Sequence, residues 1–230
     1  MGVFAGPEIV EDGLVLALDA GNTKSYPGSG TAWTDLSGNG NNGTLTNMDG
    51  ANLDSANGGS LTFDGTNEYI SISNLGLSDH TIEGWFNSSD GSQGGSSFET
   101  ICSIIGNYDG GSSKYAFIGL IPNLTFRIDD GVTSFTEVAT VSYSADTWYH
   151  VALTYNASNG VTRAYVNGND IGGITYTTNI IFNSISYNIS KTEANVYFSG
   201  LVASFKAYNK ALSASEIQQN FNAIKSRFGL

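Results

Sequence analysis

Asp35, Ser37, Asn39 and Gly40, in the stretch DLSGNGNNG at residues 35–43, occupy the first, third, fifth and sixth positions of a calcium-loop pattern. Read that way, Asp35, Ser37 and Asn39 would turn oxygen atoms towards a hard cation and Gly40 would permit the sharp bend. Asp19, at the end of the preceding apolar run, would add a further carboxylate. The twelfth position is Thr46, where an EF-hand-type loop needs a bidentate glutamate. The same letters also spell a glycine-asparagine turn, or a polar rim around a sugar site. The turn is the default expectation, and Asp35, Asn39 and Asp19 are carried forward as calcium candidates. Asp109 in NYDGG and Asp129 in RIDDG are weaker ones, since Asp-Gly is a common turn pair.

Other chemistry is sparse. Glycoside hydrolysis needs two carboxylates flanking the scissile bond, which on one strand appear as acids two residues apart. Glu68, Glu83, Glu99, Glu137 and Glu193 are scattered singly, and Asp129 and Asp130 are adjacent, so they face opposite ways in a strand. No GxSxG elbow, P-loop or HExxH is present. His80 and His150 are the only histidines, and His150, inside a strand, reads as a packing or hydrogen-bonding residue. Catalysis is therefore not expected. Glycan binding would need aromatic platforms on exposed loops, for which Tyr26, Trp33 and Tyr108 are the candidates.

The chain of 230 residues fits one large domain if it is all-β. Its 29 glycines and the runs of Asn, Ser and Thr between short Val/Ile/Tyr/Phe segments are the composition of many strands joined by tight turns. A formal charge of −12 repels phosphate backbones, which argues against nucleic acid as a partner. Cys102 is the only cysteine, so no intrachain disulfide can form, which fits folding in a reducing cytoplasm. The N-terminal residues lack the basic and apolar regions of a signal peptide, and no apolar run is long enough to span a membrane.

Apolar alternation predicts the elements that would position these residues. GLVLALDA at 13–20 has β character, and GTLTNM at 43–48 could form a short strand. SLTFDGTNEYISI at 60–72 gives two alternating segments around Asp64-Gly65, read as a hairpin or a strand pair bent at that turn. In HTIEGWFNSS, Ile82 and Gly84 fall on one face and Glu83 and Trp85 on the other, and the pair Trp85-Phe86 marks burial on both sides. DGSQGGSS at 90–97 reads as a surface loop, and four strand-length segments follow it. The clearest hairpin is DTWYHVALTYNASNGVTRAYVNGNDIG at 146–172. A helix is predicted at about 213–227, with a Ser213/Glu216 capping box, a Leu212/Ile217 staple and an apolar stripe of Ile217, Phe221, Ile224 and Phe228.

In order and separation, LTFDGTNEYISI, HTIEGWF, WYHVALTYNASNGVTRAYVNG and SGLVASFKAYNKALSASEIQQNFNA resemble the concanavalin A-like lectin/glucanase superfamily, in its laminin-G/pentraxin-like branch. The resemblance spans about residues 13–228 and implies an all-β fold: a two-sheet antiparallel jelly-roll sandwich with a short C-terminal helix. It also implies that calcium can be held, structurally or at a ligand site. The opening GLVLALDAGNTKSYPGSGTAWTDLSGNGNNGTL and the closing NFNAIKSRFGL resemble a variant found in structural proteins of tailed bacteriophages. The expectation is a non-enzymatic virion component, a capsid decoration, appendage or tail-fibre part assembled in the host cytoplasm. Its partners would be other virion proteins, further copies of itself and cell-surface polysaccharide, with no nucleic acid and no membrane. The alternatives are an extracellular calcium-dependent lectin and, behind it, a glycoside hydrolase. Residues 1–12 read as an arm, with Val3, Phe4, Ile9 and Val10 docking on a neighbouring subunit, and 13–230 as the jelly-roll domain.

Overall fold

The computed structural model describes residues 8–89, 99–109, 112–121, 123–130, 136–176, 186–191 and 195–230. Strands β1 (Leu14–Asp19), β2 (Ala32–Trp33), β3 (Gly43–Thr46), β4 (Leu53–Asp54), β5 (Ser60–Asp64) and β6 (Tyr69–Ile72) form the first third of the chain. They are followed by β7 (His80–Ser88), β8 (Glu99–Asp109), β9 (Ser112–Ile121), β10 (Asn123–Asp130) and β11 (Thr136–Val141). The last are β12 (Trp148–Tyr155), β13 (Val161–Val166), β14 (Asn169–Thr175), β15 (Ser186–Ile189) and β16 (Ser199–Tyr208), before helix α1 (Ala214–Ile224). The strands make two antiparallel sheets, the jelly-roll sandwich that the sequence implied.

The first sheet runs β14-β13-β12-β7-β16-β5-β4. β7 covers one side of β16 along its length, while β5 pairs with Ser199–Val202 and β1 with Ser204–Tyr208 on the other side, end to end. The second sheet runs β11-β10-β9-β8-β15-β6-β3-β2. Between them lies the main core, in which Ile82 and Phe86 of β7 meet Ile118, Phe126 and Ile189 of the second sheet. Gly84 is required on β7 because β16 has a bulge between Val202 and Ser204, and a Cβ at Gly84 would stand 2.9 Å from Ser204 O.

The hairpin β12-β13 forms as read, closed by residues 156–160, and Asn167-Gly168, with φ of 50° and 76°, turns the chain into β14. Asp64-Gly65 does not close a hairpin. β5 joins the first sheet and β6 the second, so residues 65–68 cross between the layers. The turn chemistry is as expected, with Thr66 N donating to Asp64 Oδ1 at 2.7 Å, but Phe63 and Ile70 enter one core from opposite sheets. The Gly/Ser segment at 90–97 lies outside the described residues.

The outer face of the first sheet is also buried. Ser213 caps α1 by accepting from Glu216 N while the Glu216 side chain accepts from Ser213 N, and Leu212 packs with Ile217 as the staple requires. Ile217 and Phe221 lie on Ala152, Tyr165, Trp85 and Ala203. Phe228, in a short 3₁₀ turn after the helix, stacks on Trp85 with centroids 4.2 Å apart. Val10 is buried in this layer, and its N–H donates to Asn220 Oδ1 at 2.7 Å. This corrects part of the arm reading: residues 8–12 reach the chain's own C-terminal helix, while Val3 and Phe4 lie outside the described residues.

Candidate functional site

Among the described residues, three places that gather polar side chains bear on function, and each is made by a different part of the topology. The first is a charged network beneath α1. Antiparallel register sets Lys206 of β16 opposite Glu83 of β7, and His150 of β12 opposite Trp85. Lys206 Nζ donates to Glu83 Oε1 at 3.0 Å, Asn220 Nδ2 of the helix donates to Oε2 at 3.0 Å, and His150 Nε2 lies 3.6 Å from Oε2. Asn220 Nδ2 also reaches Tyr208 Oη at 2.9 Å.

Glu83 has 0% exposure. Burial acts to raise its pKa, but the Lys206 ammonium, His150 and the Asn220 amide outweigh it and hold the carboxyl down at about 2. Tyr208 is pushed up, by burial first and by the Glu83 charge second. Perturbed carboxyls often mark active sites. Here the carboxylate is sealed between sheet and helix, and the network joins four elements, β7, β12, β16 and α1.

His80, at the start of β7, is the other buried titratable group of interest. Burial lowers its pKa from 6.5 to about 4, against the smaller raising effects of Ser78 O and Asp79. The unfolded chain therefore binds more protons between those two values, and stability falls as pH drops from 6.5 towards 4. Urea denaturation should show wild type losing about 2–3 kcal/mol between pH 7 and pH 4.5, and His80→Gln losing much less. Glu83 acts lower, its contribution present above 4.5 and lost as pH falls through about 2.

The second place is DLSGNGNNG. In an antiparallel edge strand every second residue turns its N–H and C=O away from the sheet, and on β1 these are Val15, Ala17 and Asp19. Asp35 Oδ1 accepts from Ala17 N at 2.9 Å, and Ala17 O accepts from Leu36 N at 2.8 Å. Asn41 Nδ2 donates to Val15 O at 2.8 Å, and Ser25 Oγ accepts from Asp19 N at 3.2 Å. The stretch is thus a cap along the free edge of β1.

The calcium candidates do not fit a cation here. Asp35 Oδ1 also accepts from Ser37 N at 2.8 Å, and Oδ2 accepts from Ser37 Oγ at 2.7 Å and Asn41 N at 3.0 Å. Donors surround both oxygens where a calcium shell would place oxygen lone pairs. Asn39 joins the same knot through its amide nitrogen, which reaches Leu14 O and Ser37 Oγ. Asp19 lies apart and is paired with Arg227, whose Nη1 is 2.8 Å from Oδ1. Among the described residues no group of three or more His, Cys, Asp or Glu is placed to hold a metal ion. The side chains of Asp109 and Asp129 lie outside the described ones.

The loop aromatics need a correction. Tyr26 and Trp33 are 1% and 0% exposed and belong to the main core, so neither offers a face to a sugar. Turn residues flank them, but the loop folds inward, and Tyr26 Oη hydrogen-bonds to Gly30 O and Asp49 O at the rim. Tyr108 stands in β8, and its side chain lies outside the described ones.

The third place is the outer face of the second sheet, which α1 leaves uncovered. Inward residues of these strands, such as Ile118, Phe126, Tyr187 and Ile70, fill the core, so their neighbours face out. Register lines up Glu137, Arg127 and Phe117 on β11, β10 and β9, and then, beyond Ser103 of β8, Asn188, Ser71 and Thr44 on β15, β6 and β3. Glu137 and Thr44 are exposed, Arg127 and Ser71 half-buried, and Phe117 and Asn188 recessed. With strands about 4.8 Å apart, the row crosses roughly 30 Å of sheet.

The family model of the concanavalin A-like lectin/glucanases superfamily matches residues 64–218, about two thirds of the chain. This chain belongs to that superfamily. A search of curated protein sequences found no match. Among solved structures, domain 4 of AbnA, a GH43 extracellular arabinanase from Geobacillus stearothermophilus solved with arabinotriose, superposes with a TM-score of 0.67 at 18% identity. That alignment covers 91% of this chain and 98% of the other. Trypanosoma rangeli sialidase in complex with sialic acid gives 0.66 at 17% identity, over 94% of this chain and 33% of the sialidase. A structure described as a receptor binding domain gives 0.65 at 20%, over 94% of this chain and 52% of that one. This superfamily member therefore spans about one third of the sialidase, and the likeness at these identities is one of fold.

Proposed function

We propose that this protein is a non-enzymatic glycan-recognition domain, displayed on a tailed-bacteriophage particle as a capsid decoration, appendage or tail-fibre component. The observation that carries the recognition reading is the outer row of the second sheet. Carboxylate, guanidinium, amide and hydroxyl groups stand there in one line beside a recessed aromatic ring, a composition that orients saccharide hydroxyls. The arabinotriose complex of the arabinanase domain agrees with saccharide binding on this fold.

The absence of catalysis is supported by the position of Glu83, the buried carboxylate with the strongly lowered pKa, which is closed off under α1 where no substrate can reach it. The display reading is supported by the resemblance of the opening and closing segments to phage structural proteins. Its partners are then other virion proteins, further copies of the chain and host-surface polysaccharide.

A glycan array run in calcium and again in EDTA, with a polysaccharide hydrolysis screen beside it, tests the reading. Equal binding in both buffers and no hydrolysis product is the expected result. Silence across the array removes glycan recognition, and product abolished by one acidic substitution removes the non-enzymatic assignment. Absence of the chain from purified particles removes the display role.

A further inference from the structure

We infer that Asn188, Ser71 and Thr44 form a subsite for an uncharged saccharide with adjacent hydroxyl groups, on the outer face of the second sheet. The inference rests on the glycan-recognition reading and adds to it a place on the row and the class of ligand. Register sets Asn188 of β15 beside Ser71 of β6, and Ser71 beside Thr44 of β3. Tyr187, Ile189, Ile70, Ile72 and Leu45, their neighbours in sequence, fill the core, so the three side chains share the outer face. With strands about 4.8 Å apart they cover roughly 10 Å, the length of a disaccharide.

What marks these residues is unmet hydrogen-bonding capacity. Among the described residues none of the three side chains finds a hydrogen-bond partner. Ser71 is half-buried and Thr44 exposed, so water serves both. Asn188 is only 8% exposed, and an amide at that depth ordinarily has its donors and its acceptor met. Asp35, with the same exposure, accepts four hydrogen bonds from its own chain. β15 runs between β8 and β6, and the flanking strands recess Asn188, so its amide can be met only from the outer side.

The class of ligand follows from the groups present. A primary amide holds an acceptor and a donor side by side, so one sugar hydroxyl donates to Asn188 Oδ1 while the adjacent one accepts from Nδ2. The Ser71 and Thr44 hydroxyls, which donate or accept, meet the next ring. Ala32 follows in register on β2, the last strand of the sheet, and its small side chain lets a longer saccharide continue over the edge. None of the three groups ionises. Arg127 and Glu137 stand three and four strands from β15, and Lys191, over the Tyr69 ring, is already engaged within the protein. A saccharide carboxylate would find nothing here to offset repulsion by a chain of formal charge −12, so the subsite selects neutral sugars.

The test is calorimetric titration of the intact protein with arabinotriose, with cellotriose and with the acidic trigalacturonate. At least one of the neutral ligands should bind more tightly than trigalacturonate, with an affinity that added salt leaves unchanged. Asn188→Val, which removes the amide and keeps a side chain suited to a strand, should weaken that binding by about tenfold or more. Ser71→Ala and Thr44→Val should each weaken it by roughly two- to fivefold. Asn188→Val should melt no lower than wild type, because no hydrogen bond within the protein is lost; a lower melting temperature would assign the amide to the fold and overturn the subsite. If a glycan found on the array binds Asn188→Val and Ser71→Ala as tightly as wild type, or if only acidic glycans bind, this subsite is wrong and the recognition reading stands. If no glycan binds at all, both fall.

Discussion

Replacing Lys206 with methionine is expected to destabilise the fold by about 3–5 kcal/mol, because it leaves the Glu83 charge buried with only part of its compensation. The substitution keeps the side-chain length and removes the ammonium 3.0 Å from Glu83 Oε1. Asn220 and His150 remain, but the desolvation that Lys206 offsets is then largely unopposed. Glu83 should therefore take up a proton at higher pH than in wild type, and the deficit should shrink as pH is lowered below neutrality. The double variant Glu83→Gln/Lys206→Met, with both charges gone and an amide still able to meet Asn220, should recover most of the loss. Chemical denaturation of the four proteins closes the cycle. A deficit under about 1 kcal/mol for the single variant would mean that the pair is solvated, and that α1 does not seal this face.

Much of this architecture is legible in the sequence, and what is not follows a physical pattern. The β12-β13 hairpin, the capping box at Ser213 and the two-sided burial of Trp85-Phe86 depend on neighbours a few residues away, and local periodicity shows them. Glu83 and Lys206 are 123 residues apart and are brought together by the β7-β16 register, which no local pattern encodes. The outer row of the second sheet depends likewise on the pairing of seven strands. Tyr26 and Trp33 read as exposed because Pro27, Gly28 and Gly30 around them are turn residues. Turn chemistry describes the backbone, whereas burial of a large ring is decided by the core it can reach. At Asp64-Gly65 the turn was legible and the destination of the next strand was not, since the same bend serves a hairpin and a crossing between sheets.

Asp35→Ala is the second substitution with a large expected effect, and it separates the two readings of DLSGNGNNG. The carboxylate accepts four hydrogen bonds, from Ala17 N, Ser37 N, Ser37 Oγ and Asn41 N, and the residue is 8% exposed. Alanine leaves the Ala17 and Asn41 amides without acceptors, at a cost of about 3 kcal/mol in total. Asp35→Asn keeps one carbonyl oxygen for Ala17 and Ser37 and should fall between alanine and wild type. Loss of the cap has a consequence beyond stability, because β1 is an edge strand whose outward N–H and C=O groups are then free to pair with another chain. Light scattering should show Asp35→Ala associating at concentrations where wild type does not. Adding calcium should leave the wild-type melting temperature unchanged, since donors already occupy the space around both carboxylate oxygens. A calcium-dependent rise that disappears in Asp35→Ala would overturn this and make the stretch a metal site. The same polar letters, Asp, Ser, Asn and Gly, serve either purpose, and the direction in which the donors point around Asp35 decides between them.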